Sequence, residues 1–426
     1  MDFKKRLDQM KKELSKEREI LDFSLENQKK LFLEKTVEVF TENDLTEKLR
    51  ESIKNKKPLR IKYGVDPTSS KFHLGHYTFF KRFRTLQKFG HQIIFLIGDF
   101  TATIGDPSDK EATRKPLTEK EVKKNLKGLK KQIGKILDLE KTEIVYNSRW
   151  LKKMSLNEFL PLTSLITVSR MLERENFAKR FKENKPISIR EFLYPFFQAY
   201  DSVKLKADIE IGGTDQTFNM LAGREIQKAF GQKAQAVLTL PLLLGTDGLK
   251  MSKTTGNCIF LTDKPKDIFG KTMSVPDALL KDYFSLLTDL SLSDWQEIEA
   301  AMRKGFNPKK VKEVLAFILT ARLYNPKIAE REEVRFNRLF SRKKIQKEDL
   351  EELTAVPPKK LLDLLYENKF IKSKMEGRRL FRGGAIKLVD KEQVVISNPD
   401  YLIKRSGEIF KIGKKIFIKV IFKQNA

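Results

Sequence analysis

From about residue 59 the chain alternates short, nearly continuous apolar runs with amphipathic stretches. The runs "LRIKYGVD" (59–66), "HQIIFLIGDF" (91–100), "KTEIVYNS" (141–148), "DIEIGGTDQ" (208–216) and "AVLTLPLLLG" (236–245) lead into glycine, aspartate or asparagine, as buried strands do. Between the first two, "LGHYTFFKRFRTLQKFG" has helical spacing and stops at Gly90, and "TFNMLAGREIQKAFG" stands likewise between the last two. Strand, crossover helix and strand in succession predict an α/β, Rossmann-like domain with a parallel sheet covered on both faces. Ligands of such sheets lie beyond the carboxyl ends of the strands. The pattern divides the rest of the chain. Residues 1–48 read as a charged helical segment appended on the surface, and 49–265 as the sheet domain, with a helical insertion over 150–205. Residues 266–355 read as an α-helical domain. Residues 356–426 read as a small α+β module whose strands include "AIKLV", "EQVVI" and "KKIFIKVIF".

Composition narrows the class. Hydrophobic residues make up 40% and charged residues 33%, as in a soluble globular protein. No apolar run reaches the roughly eighteen residues of a spanning helix, so no membrane association is expected. The amino terminus mixes both signs of charge and has no apolar core, unlike a secretory signal. A single cysteine, Cys258, allows neither an internal disulfide nor a cysteine metal cage, and a cytoplasmic protein is expected. The net charge of +28 and pI near 9.8 point to a polyanionic partner, above all a nucleic acid, against the plainer alternative of a solvated lysine-rich surface.

Candidate chemistry begins at "KFHLGHYTFF", which holds His73 and His76, two of only three histidines. They open the first helix, where free backbone N–H groups and the dipole favour phosphate, and Gly75 lets a nucleotide approach the backbone. Metal binding would need further ligands, and none stands out. The loop "LKMSKTTGN" places Lys250 and Lys253, with Thr254, where they could neutralise a triphosphate. In "REFLYPFFQAYDSVKL", Tyr194, Gln198 and Asp201 fall on one helical face. That polar line is either a solvent-facing stripe or a buried set that needs a ligand with an ammonium and a hydroxyl.

These motifs together resemble class I aminoacyl-tRNA synthetases. "GVDPTSSKFHLGHY", "IGDFTATIGDPS", "SRMLERENFAKRFKENKPISI", "YPFFQAYD" and "EIGGTDQ" are similar to the bacterial tyrosyl branch over about residues 59–260. The resemblance implies activation of L-tyrosine by ATP, with magnesium, to tyrosyl-adenylate, and transfer of tyrosine to tRNA(Tyr). In that reading Asp201 accepts from the substrate phenol. Tyr194, Gln198 and Asp106 hold the ammonium group, and Gln216 lies near the carboxyl group. Gly64, Asp66, Gly75, Gly213 and Asp215 line the ATP site, and His73, His76, Lys250, Lys253 and Thr254 stabilise the phosphates. Many relatives have a second phenol-binding tyrosine where this chain has Lys62, followed by Tyr63, so that contact is left open. "SKMEGRRLFRGGAIKLV" resembles an S4-type RNA-binding domain, with Arg378, Arg379 and Arg382 on RNA. The family implies a homodimer joined through the insertion. The competing readings are the tryptophanyl relative, an inactive RNA-binding paralogue, and a nucleotidyltransferase acting on a small molecule. An editing domain is not evident. A site built to bind a hydroxyl needs none, and the rejection of phenylalanine by enzymes of this family is the known illustration of that rule.

Overall fold

A computed structural model describes residues 3–20, 22–108, 117–251, 256–341, 350–389, 393–413 and 416–423. The chain forms two compact units, Met1–Ala329 and Glu330–Ala426. No described helix is long and apolar enough to cross a membrane.

In the first unit, helices α1 (Phe3–Leu14) and α2 (Leu25–Leu33) lead to strand β1 (Glu38–Phe40) and helix α3 (Glu42–Asn55). Strand β2 (Arg60–Val65), helix α4 (Leu74–Lys88), strands β3 (Gln92–Ile97) and β4 (Thr142–Tyr146), and helix α5 (Ile189–Leu205) follow. Strand β5 (Ile209–Gly213), helix α6 (Thr217–Ala229) and strand β6 (Ala236–Leu240) complete the sheet. The strand order is β1-β6-β5-β2-β3-β4, all parallel except β1, which runs antiparallel to β6. The five parallel strands are those read from the apolar runs. Their order reverses beside β2, so a crevice opens between the carboxyl ends of β2 and β5.

Strand alternation explains much of the core. Tyr63 faces α4 and stacks on Phe79 at 4.9 Å, within an aromatic group that includes Phe80, Phe83 and Phe95. Phe80 and Phe83 are fully buried, each worth about 1.5–3 kcal/mol of transfer free energy. Lys62, its neighbour, necessarily faces the other way, towards α5.

Two boundaries within this unit differ from expectation. The amino-terminal segment is part of the body: Leu7, Met10 and Leu14 of α1 enter the main core, Arg322 donates to the Leu14 carbonyl at 2.7 Å, and β1 extends the sheet. Its apolar stripe at Phe3, Leu7, Met10 and Leu14 is helical, but the charged residues between hide it. The helices after residue 265 are not a separate domain either, because Tyr283, Phe284 and Ile318 share one core with Phe80 and Ile93.

The second unit has its own core, including Leu361, Leu365, Phe381, Phe410 and Ile418. Its sheet contains β7 (Glu351–Ala355), β8 (Ile386–Val389), β9 (Gln393–Val395), β10 (Ile409–Ile412) and β11 (Ile416–Phe422), in the order β7-β11-β10-β8-β9. Strand β7 pairs in parallel with β11, so the module begins before residue 356. Helix α7 (Lys374–Arg382) turns Phe381 inward and leaves Arg378, Arg379 and Arg382 exposed.

Candidate active site at the strand ends

Each parallel strand delivers polar side chains into the crevice just past its carboxyl end. After β2 comes Asp66, whose carboxylate accepts from Thr101 Oγ1 at 2.7 Å and from Tyr194 Oη at 3.2 Å. Burial pushes the Tyr194 phenol well above its ordinary range, so it remains a neutral donor. Gly98, at the end of β3, lies under this contact: a Cβ there would meet the Asp66 carboxylate and the Thr101 hydroxyl. That explains the glycine of "IGDF". Gly64 lies within β2, where a Cβ would find only ordinary contact with Leu96.

His73 and His76 form a reciprocal cap at the start of α4. His73 Nδ1 accepts from the Gly75 N–H at 3.1 Å, and His76 Nδ1 accepts from the His73 N–H at 3.3 Å. With Nδ1 accepting in both rings, each neutral imidazole carries its proton on Nε2. The cap and the expected phosphate donors are therefore two ends of the same rings. A Cβ on Gly75 would sit 2.9 Å from His73 Cε1, so the folded-over ring requires glycine. The chain that leaves the lysine loop returns beside this cap, with Leu74 N–H donating to the Ile259 carbonyl at 3.0 Å. The two motifs, far apart in sequence, are thereby joined. Lys250 is 3.2 Å from the Asp215 carboxylate, which follows Gly213 at the end of β5. Lys253 and Thr254 lie outside the described residues.

The face of α5 is buried and is not a solvent stripe. Asp201, 2% exposed, accepts from Trp150 Nε1 at 2.7 Å and Asn147 Nδ2 at 3.2 Å. Burial raises its carboxyl to about 7, opposed by the charge of Lys62 and by these two hydrogen bonds. Gln198 Oε1 accepts from Asn219 Nδ2, which also donates to Gln216 Oε1, both at 3.0 Å. Gln216 Nε2 donates to Asp106 at 2.7 Å, and the other Asp106 oxygen accepts from Ser108 Oγ at 2.6 Å. Arg174, between the rings of Phe177 and Phe218, donates to the same Ser108 oxygen and braces the loop.

The structure thus brings Asp66, Asp106, Tyr194, Gln198, Asp201 and Gln216 into connected hydrogen-bond groups, with His73, Gly75, His76, Lys250, Gly213 and Asp215 at the same end of the sheet. Arg378, Arg379 and Arg382 belong to the other unit. Thr101, Asn147, Trp150 and Asn219 were not singled out by their sequence. The signal available for Thr101 and Asn147 was their place just beyond β3 and β4. Lys62 and Tyr63, where the sequence left a contact open, are both engaged within the protein. Tyr63 is on the far face of the sheet, and Lys62 uses all three donors internally, on Glu210 Oε1 (2.9 Å), the Gln198 carbonyl (2.9 Å) and Ser202 Oγ (2.7 Å).

Comparison with known proteins bears on the family and the fold. Residues 54–341 match the family described as tRNA synthetases class I (W and Y). The tyrosine–tRNA ligase of Desulfotalea psychrophila is 46% identical over 404 residues, covering 94% of this chain and 99% of the relative. That of Aquifex aeolicus is 43% identical over 400 residues, covering 93% and 99%. Among solved structures, a truncated mitochondrial tyrosyl-tRNA synthetase of Aspergillus nidulans shares the fold with a TM-score of 0.60 at 21% identity, over 80% of this chain and 99% of that one.

Proposed function

The chain belongs to the class I tRNA synthetase family of the tryptophan and tyrosine enzymes, and from that premise we infer that it is a tyrosine–tRNA ligase. It uses ATP to activate L-tyrosine and passes the tyrosyl group to tRNA. The observation that carries the site assignment is the buried Asp201 carboxylate at the strand ends. Its two N–H partners take two of about four lone-pair sites, leaving capacity for a phenol donor.

The proposed reaction runs in two steps. The tyrosine carboxylate attacks the α-phosphorus of ATP, a new O–P bond forms, and the bond to the β-phosphate oxygen breaks to release pyrophosphate. Tyr194, Gln198 and Asp106 hold the ammonium group, while Gln216, tied to Asp106 and Asn219, sits by the carboxyl group. The His73 and His76 Nε2–H groups, with Lys250, Lys253 and Thr254, stabilise charge that moves onto the leaving phosphates. Gly64, Asp66, Gly75, Gly213 and Asp215 line the nucleotide side. A terminal ribose hydroxyl of tRNA(Tyr) then attacks the adenylate carbonyl, and AMP leaves. Positioning and electrostatics supply the catalysis, without a covalent enzyme intermediate. Magnesium would enter on the phosphates of ATP; among the described residues no group of three or more His, Cys, Asp or Glu is arranged as a metal site.

Amino-acid-dependent exchange of pyrophosphate into ATP tests the assignment. Exchange with tyrosine alone is expected; exchange with tryptophan instead would overturn the specificity, and none at all would favour an RNA-binding paralogue. Leu156, Leu160, Val168, Phe181 and Ile189 of the insertion are exposed apolar residues, which supports a homodimer through that region. A monomeric mass by light scattering at micromolar concentration would oppose it.

The exposed arginines of α7 support RNA binding by the second unit. Substituting Arg378, Arg379 and Arg382 together by glutamine should weaken tRNA binding and flatten its salt dependence by about one logarithmic unit per lost phosphate contact. Tyrosine-dependent exchange should remain unchanged. Unaltered tRNA affinity would remove these arginines from the interface.

A further inference from the structure

Lys62 is a fully buried cation for which the reaction above has no use. It faces Glu210 directly across β2 and β5, and the two form a 2.9 Å ion pair with side chains 0% and 3% exposed. The pair does not stand apart from the site. Lys62 Nζ donates to the Gln198 carbonyl and to Ser202 Oγ, bracketing the turn of α5 that carries Asp201. Glu210 in turn accepts from Gln198 Nε2 at 3.3 Å, from Ser202 Oγ at 3.2 Å and from Gln235 Nε2. Four elements meet at this pair, since Gln235 precedes β6 and also donates to the Met220 carbonyl on α6.

We propose that Lys62 is a positioning residue for amino-acid selection: locked by Glu210, it fixes the Gln198–Ser202 turn and presents Asp201 to the substrate as a charged acceptor. The inference rests on reading Asp201 as the phenol acceptor. A neutral carboxylic acid would offer the phenol a weaker acceptor and a competing proton. A buried carboxylate resists ionisation unless an opposite charge is near. Lys62 from β2 is that charge, and Glu210 from β5 opposes it. The short helix Ser148–Leu151 and the residue before it contribute only the uncharged Trp150 and Asn147, while α6 sends Asn219 to Gln198. On α5 itself, Tyr194 is a neutral phenol. A lysine at this strand position thus acts on the phenol through Asp201 and makes no direct contact with it.

The test is tyrosine-dependent pyrophosphate exchange between pH 6 and 9 with the full-length protein, Lys62→Met, and Lys62→Met/Glu210→Gln. The double variant removes both members of the ion pair and so strands neither partner, which keeps the test informative if the single variant fails to fold. Removing Lys62 should move the acidic limb of kcat/KM for tyrosine upward by about one pH unit, which raises tyrosine KM at pH 7 by up to about tenfold. The double variant should move it the same way by a smaller amount. The KM for ATP should be unchanged and kcat should stay within about threefold. A folded double variant whose acidic limb coincides with that of the wild type would overturn the proposal, because a core-filling lysine predicts that result. Absence of tyrosine exchange in the wild type would instead overturn the ligase assignment and this inference with it.

Discussion

Asp201→Asn is expected to lower kcat/KM for tyrosine by at least about a thousandfold while leaving the KM for ATP within about threefold. The reason is a shortage of acceptors. Trp150 Nε1–H and Asn147 Nδ2–H both point at Asp201, one to each oxygen. Asparagine offers one oxygen and an NH2 group, so one donor would face another. Asn147 is not free to flip, because its Oδ1 accepts from the Phe100 N–H at 3.0 Å. The phenol would have to share the one remaining, uncharged oxygen with an N–H donor already bound to it, and a buried group left unpaired costs about 1–3 kcal/mol beyond the lost bond. Steady-state exchange kinetics with each substrate varied in turn provide the check. Retention of wild-type kcat/KM would separate Asp201 from substrate recognition.

The same carboxylate imposes a pH signature on the wild type. Burial raises it to about 7 from an ordinary value near 4. Protonation therefore favours the folded state between those values. Its stabilising contribution is fully present below about pH 4 and is lost as pH rises through 7, a difference on the order of a few kcal/mol. Activity runs in the opposite direction, since recognition needs the ionised acceptor. Stability is given up at neutral pH for a site that can read a hydroxyl, as expected where a buried charge is kept for function.

The sequence revealed the parallel sheet, the paired phosphate motifs and the Tyr194–Gln198–Asp201 face because each depends on local spacing. A helix start after a strand or three residues on one face can be read from consecutive positions. Asn147 and Trp150 could not be assigned in that way, for they reach Asp201 from more than fifty residues away. Lys62 was open for a related reason. Its position in the strand was legible, but its partner Glu210 lies across a crossover, and only the β2–β5 pairing brings them opposite each other. Strand β1 and the α1 stripe were lost among charged residues, and β7 was hidden because its partner β11 comes at the far end of the chain.

The second large effect should come from His73, and two substitutions can separate the two ends of its ring. Asparagine places Oδ1 near the position of Nδ1, so His73→Asn should keep the bond to the Gly75 N–H while removing the Nε2–H donor. Glutamine extends its amide to the region of Nε2 and gives up the cap. If the ring serves the phosphates, His73→Asn should slow tyrosine activation by about 10²–10³-fold with tyrosine affinity and thermal midpoint nearly unchanged. His73→Gln should retain more activity and lose about 1 kcal/mol of stability, the usual cost of a missing amino-terminal cap. Single-turnover formation of the adenylate, paired with thermal denaturation, distinguishes these outcomes. If His73→Asn activates tyrosine at the wild-type rate, His73 only starts a helix. The present geometry favours the other result, because both rings spend Nδ1 on the backbone and thereby hold their remaining proton on Nε2, at the end of the sheet where Asp215 and the lysine loop meet.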